Sequence, residues 1–236
     1  MGIKERQERD REAVHRAILD AARDLFVREG YQNVSIRKIA ERIEYSPAAI
    51  YSYFASKDDI FFALAEEGFR LLGTPDEDGE RLRALPPLDR IRTIFWRVYE
   101  FSRDHPEYFA LMFVDRSVPR IMREYERFAF VRETKAQVVR HLQECIDAGE
   151  LPPTVRPMVA FRLLTMGLMG VATMRMSDRL APGEDADALA RDVIEVTLAG
   201  LRSGVALHAP AAGCEIAETE SVSVAPGERS DAEERR

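Results

Sequence analysis

Residues 35–54 read SIRKIAERIEYSPAAIYSYF, and the fold of the whole chain follows from how this stretch is read. Ile36, Ile39, Ala40 and Ile43 repeat at i, i+3, i+4 and i+7, which predicts a short amphipathic helix with Ser35 as its N-cap. Ser46 is a second N-cap, and Pro47 follows at the first helical position, where a missing N–H costs nothing. Ile50 and Phe54 share one face of this second helix. The three residues EYS between the two helices make a turn of helix-turn-helix length. Downstream, Ser56 with Asp59 three residues on has the form of a capping box and starts a helix to about residue 72. Upstream, Val14, Ile18, Ala21, Ala22, Leu25 and Phe26 form one stripe of a helix over 12–29, and Gly30 stops it.

No alternating strand pattern and no Asn-Gly or Asp-Gly hairpin turn is present, so the fold class is all-α. Residues 73–87, GTPDEDGERLRALPP, read as a loop between two modules. A helix over 88–104 follows, with a narrow polar stripe of Arg90, Thr93, Arg97, Glu100 and Asp104 that suits a central helix. His105-Pro106 interrupts it, and PEYFALMFV forms a short aromatic helix. Further helices are expected over 119–148, 154–177 and 185–204. Residues 209–236 lose apolar periodicity and read as a disordered acidic tail. The domain scheme is a helix-turn-helix unit over 1–56, a helical domain over 57–208 and the tail over 209–236.

The chain has 236 residues, 32% of them charged, with a formal net charge of −7. That excludes a basic nucleic-acid coat. Residues 1–60 are neutral, with eleven Lys/Arg and eleven Asp/Glu. Such a segment still presents a basic face if its acids point elsewhere. Cys145 and Cys214 form no CxxC and suit unpaired thiols in a reducing cytoplasm. The start has no apolar signal segment, and the apolar run 158–174 falls short of the roughly 20 residues needed to cross a bilayer. A cytoplasmic protein without a membrane partner is therefore expected. No nucleophile–base pair, Gly-rich phosphate loop or metal cluster appears, so no enzyme activity, metal or cofactor is expected.

Residues 18–68 resemble the DNA-binding domain of TetR/AcrR-type transcriptional regulators. The carrying features are the Phe26…Gly30…Ser35 spacing, Ile39-Ala40, Ser46, Ile50-Tyr51-x-Tyr53-Phe54 and Ser56-Lys57-Asp58. The resemblance implies that Ser35 and the helix it caps meet a phosphate, and that Arg37 reaches a base edge. It implies that Pro47, Ala48 and Ala49 face bases, with shape and thymine-methyl contact as all they can offer. Tyr51 and Tyr53 would hold phosphates by their hydroxyls, Lys57 another, and Ser52 a base or a phosphate. Arg37 also reads as an ordinary solvated charge, and the two tyrosines as half-buried core aromatics. The family usually has Gly at the position of Glu44, which would strain a side chain there if φ is positive.

The same resemblance implies a C-terminal effector pocket and a homodimer on a palindromic operator. Pocket candidates are Phe95, Trp96, Tyr99, Phe109, Met112, Phe113, Phe128, Phe161 and Met169, since aromatic and methionine side chains suit an apolar cavity. Arg162 or Arg175 is a candidate partner for an acidic group on an effector. The helix over 154–177 is apolar all round. With the last helix it suits a four-helix dimer interface through Gly167, Gly170, Ala172, Val193, Thr197, Gly200 and Leu201. The expected function is a repressor that a small apolar effector releases from double-stranded DNA. The alternative is a DNA-binding dimer without an effector, whose C-terminal domain only dimerises or binds proteins.

Overall fold

A computed structural model describes residues 2–73, 79–119 and 127–209, and among them only helices and their connections occur. The first helix, α1 (Ile3–Glu29), ends at Gly30, whose φ of +80° is open to glycine at no steric cost. It extends well N-terminal of the predicted start. Residues 4–12 are exposed Lys, Arg, Glu, Asp and Gln, mostly good helix formers that need no buried face to continue a helix already nucleated downstream. After a 3-10 turn (Tyr31–Asn33) come α2 (Ile36–Arg42), α3 (Pro47–Tyr51) and α4 (Lys57–Leu72). Ser35, Ser46 and Ser56 cap these three helices through their hydroxyl oxygens, as their positions in the sequence predict.

The predicted loop at 73–87 contains a short helix, α5 (Gly79–Arg83), anchored by buried Leu82. Then α6 (Pro87–Asp104) runs to His105, and α7 (Pro106–Phe109) continues as a π-helical turn, Ala110–Val114. That turn closes with the Asp115 N–H donating to the Ala110 carbonyl at 2.8 Å. Helices α8 (Ala129–Asp147), α9 (Pro157–Met176) and α10 (Ala186–Arg202) complete the described fold. The predicted N-terminal end of α8 and nearly all of the predicted tail lie outside the described residues.

Two apolar clusters hold the helices. Ile18, Ala22, Phe26, Ile39, Ala40, Ile50 and Phe61 form the centre of one, and it continues through α4 to Phe101, Tyr108, Phe109 and Phe128. The other joins α6, α8, α9 and α10 around Ile91, Tyr99, Leu142, Leu164, Leu168 and Leu198. The helix-turn-helix unit thus shares one continuous core with the start of the second module, and α4 belongs to both.

Arg90 departs from the sequence reading. It is buried, not part of a solvated stripe. Its guanidinium donates to the Leu82, Arg83 and Leu85 carbonyls and pairs with Glu144. It thereby ties α5 and the turn after it to α6 and α8. Helix α9 also departs. At 20 residues, with an 18-residue stretch of mean hydropathy 1.4, it is long and apolar enough to cross a membrane by length and composition, whereas the run counted in sequence was too short. Here α6, α8 and α10 pack against it.

Candidate nucleic-acid interface and effector cavity

Helices α2 and α3 are too short to persist alone. Ile36, Ile39, Ala40 and Ile50, with Phe54 just past α3, pin them to α1 and α4. The turn between them closes with the Tyr45 N–H on the Ala40 carbonyl at 2.9 Å and the Glu44 N–H on the Glu41 carbonyl at 3.3 Å. These are the two bonds of a Schellman motif, which requires a left-handed residue at Glu44. Its φ is +60°.

The outward side of this unit carries Ser35, Arg37, Ser46, Pro47, Ala48, Tyr51 and Ser52, all exposed, while Ala49 and Tyr53 are half-buried. Tyr51 is 56% exposed. Ser35 and Ser46 accept from the Lys38 and Ala49 N–H groups, both at 3.2 Å, and the Ser52 hydroxyl donates to the Ala49 carbonyl at 2.7 Å. Arg37 pairs with Glu41 at 2.9 Å along an exposed helix face. The Arg11 guanidinium lies 5.9 Å from the Tyr53 ring. Nearby acids are engaged: Glu29 with Lys38, and Asp24 with Arg28 and Arg42.

Lys57 sits differently from the rest. Its ammonium donates to the Tyr31 and Val34 carbonyls at 2.8 and 2.9 Å and lies 4.1 Å from the Tyr31 ring centroid. Burial pushes its pKa down. Two of its three N–H donors therefore hold the turn ahead of α2.

A cavity of about 360 Å3, partly open, lies among α4, α6, α7 with its π turn, α8 and α9. Phe95, Phe109, Met112, Phe113, Phe161 and Met169 line it, as their residue types suggest. Trp96, Tyr99 and Phe128 lie elsewhere. Trp96 faces Arg191, whose guanidinium is 4.5 Å from its ring. The Tyr99 hydroxyl donates to Asp187 at 2.7 Å, and Phe128 packs on Phe62 and Phe69. Sequence reasoning missed Phe69, Phe130, Arg97 and Lys135 in the wall. Arg162 and Arg175 do not line the cavity: Arg162 is exposed and Arg175 donates to the Ser102 carbonyl at 2.6 Å.

The cavity and the helix-turn-helix unit meet through α7. Phe109, Met112 and Phe113 face the cavity, while the neighbouring Tyr108 hydroxyl accepts from Arg23 of α1 at 3.0 Å. Beside it, Arg16 of α1 grips both carboxylate oxygens of Glu67 of α4, at 2.7 and 3.0 Å. Burial works against the charged Glu67, but the Arg16 hydrogen bonds and charge hold its pKa below the usual range.

The predicted dimer residues divide. Ala172 and Leu201 are buried in the chain's own cores. A Cβ on Gly167 would meet Val193 Cγ1 at 2.5 Å, so this pair serves the contact of α9 with α10 inside the chain. Thr197 and Gly200 are half-buried, and Gly170 is exposed. Near Gly170 on the outer side of α9 stand Leu163, Met166 and Met174, and Val196 is exposed on α10.

Residues 18–64 match the profile of bacterial regulatory proteins of the tetR family, and residues 91–197 match a tetracyclin repressor-like C-terminal domain. The chain belongs to the tetR family. Among curated relatives, it is 44% identical over 55 residues to the HTH-type transcriptional repressor Rv1474c of Mycobacterium tuberculosis, covering 23% of this chain and 29% of that one. It is 36% identical over 63 residues to the repressor AcnR of Corynebacterium efficiens, covering 26% and 34%. The chain thus spans about a third of the length of the curated relatives it matches. The likeness in fold extends further than these sequence matches. The structure of the regulator FadR from Bacillus subtilis, in complex with stearoyl-CoA, superposes with a TM-score of 0.62 at 18% identity, covering 78% of this chain and 97% of that one.

Proposed function

We propose that this TetR-family chain is a repressor that binds a palindromic DNA operator as a homodimer and leaves it when a small apolar effector fills the cavity. The observation that carries this reading is the exposed Ser35–Ser46–Tyr51 surface of α2 and α3, joined by one continuous core to an apolar cavity. Neutral hydroxyls and helix N-termini grip phosphates without needing a basic protein. Arg37 reads a base once it exchanges Glu41 for guanine, and Pro47, Ala48 and Ala49 contribute contact and shape. Tyr53 and Ser52 add backbone contacts at the rim. A DNA target also fits a cytoplasmic location.

Release follows from linkage. Two recognition helices fit a palindrome only at a separation near one helical turn of DNA or a multiple. An effector that pushes on Met112 and Phe113 acts on α7, whose Tyr108 holds α1 through Arg23. It lowers DNA affinity by its preference for the other arrangement. The stearoyl-CoA in FadR makes fatty acyl chains a sensible first test. The rival reading, dimerisation without an effector, calls for a closed core, and a cavity of about 360 Å3 speaks against it.

The test is selection of bound duplexes from a random library by the full chain, followed by titration. A palindromic consensus is expected. Tyr51→Ala should weaken binding to consensus and mismatched duplexes by about the same factor, as a phosphate contact does. Unchanged affinity in Tyr51→Ala would remove α3 from the interface.

A further inference from the structure

The cavity wall has a one-sided chemistry. Six phenylalanines, two methionines and five aliphatic side chains make most of it, and its polar side chains among the described residues are Thr134, Thr165, Arg97 and Lys135. The two hydroxyls donate back to their own helices, Thr134 to the Phe130 carbonyl at 2.9 Å and Thr165 to that of Phe161 at 2.8 Å. They therefore offer a ligand lone pairs and no proton. Among the described residues both charged groups are cationic, and no Asp or Glu lines the wall. Arg97 on α6 and Lys135 on α8 line the cavity and are half-buried, so each also keeps some exposure to water. The Lys135 ammonium lies 5.8 Å from the ring centroid of Phe161, itself a wall residue.

We propose that this cavity selects an amphipathic anion, an apolar body carrying one carboxylate or phosphate group, and that Arg97 and Lys135 determine the preference for negative charge. The proposal rests on reading the cavity as the effector site. A neutral apolar molecule fills the aromatic interior equally well but gains nothing from the two cations. A cationic amphiphile meets like charge beside a low-dielectric wall and is rejected. An anion completes the wall with charge-assisted hydrogen bonds while its apolar body displaces water from the phenylalanines. Both cations also contact the protein. That leaves the argument intact, since a guanidinium carries five donors and an ammonium three.

The experiment titrates the full chain with dodecanoate, dodecanol, dodecyltrimethylammonium and dodecanoyl-CoA, each below its micelle concentration. Calorimetry reads binding, and release of a selected duplex reads function. Dodecanoate or dodecanoyl-CoA should bind at least about tenfold more tightly than dodecanol, the scale of one charge-assisted hydrogen bond. The trimethylammonium compound should bind most weakly. A preference for dodecanoate supports a carboxylate ligand, and binding of dodecanoyl-CoA alone supports recognition through phosphates. The double variant Arg97→Gln/Lys135→Gln should lose the preference, binding the anion no more tightly than it binds dodecanol. Equal binding of dodecanol and both anions by the native chain would overturn the charge preference while the effector cavity stands. Absence of binding by all four compounds would overturn the effector reading with it. The ligand series on the native chain decides the matter even if the double variant fails to fold.

Discussion

Glu44 adopts φ +60° because the Schellman turn between α2 and α3 leaves its position no other backbone. A side chain there costs about 1 kcal/mol relative to glycine. Glu44→Gly should therefore raise the unfolding free energy by about that amount in denaturant titration, with Glu44→Val going the other way. The family resemblance pointed to this position in advance, since the family usually has glycine there. The setting of Lys57 was not legible in this way. Nothing at i±3 or i±4 reveals that its ammonium crosses to the Tyr31 and Val34 carbonyls, more than twenty residues earlier. Lys57→Met takes the ammonium from the Val34 carbonyl and leaves the Tyr31 carbonyl with the Val34 N–H alone, so it should cost about 1–3 kcal/mol of stability. Thermal melts of the DNA-free protein check this. A purely phosphate-binding lysine would leave the melt unmoved and change only the salt dependence of DNA binding.

At the scale of elements, the helices were readable where a period and a cap coincide, as at Ser35, Ser46 and Ser56. Element α5 was hidden because its five residues bury one side chain, Leu82, too few to show a period. Facing was harder than existence. Phe95, Trp96 and Tyr99 all looked like pocket residues, but α6 is central, and only its partners decide which side meets the cavity. Phe95 faces it, while Trp96 and Tyr99 turn toward Arg191 and Asp187 of α10. Gly68 shows the same limit. Its lack of a side chain gives no period to read, yet it lies buried within α4, where a Cβ would approach Tyr108 Cδ1 to 3.2 Å and crowd Met112. Its smallness lets α4 and α7 touch. In Gly68→Ala, about 1 kcal/mol of helix propensity opposes about 1–3 kcal/mol of overpacking. The expected result is a net loss of stability in thermal melts. A shifted effector affinity should accompany it, because Met112, the side chain that must yield, lines the cavity. A gain in stability would show that α4 and α7 separate without cost.

For the whole molecule, the decisive question is what covers the outer side of α9 and α10. The sequence showed that α9 is apolar all round but not which residues its own chain would consume. Ala172, Leu201 and the Gly167–Val193 contact are used internally. Met166 remains 60% exposed and Val196 71% exposed, with Leu163, Gly170 and Met174 on the same helix as Met166. Two copies meeting there around a two-fold axis would bury this surface against itself, as an isologous interface requires. They would also set the spacing of the two recognition helices. Met166→Glu and Val196→Glu each place a carboxylate against its symmetry mate or against apolar surface, where desolvation penalises the charge. Light scattering on size-exclusion fractions should then show the native chain as a dimer and the Met166→Glu/Val196→Glu chain as a monomer. The thermal melt of the native chain should rise with protein concentration and that of the double variant should not, since a partner copy stabilises the folded chain by mass action. Operator affinity should fall by roughly 10²–10⁴, because the second half-site loses its tethered partner, while binding to a single half-site stays as it was. A double variant that remains dimeric would move the interface off α9 and α10, and with it the geometry proposed to link the cavity to the spacing of the two recognition helices.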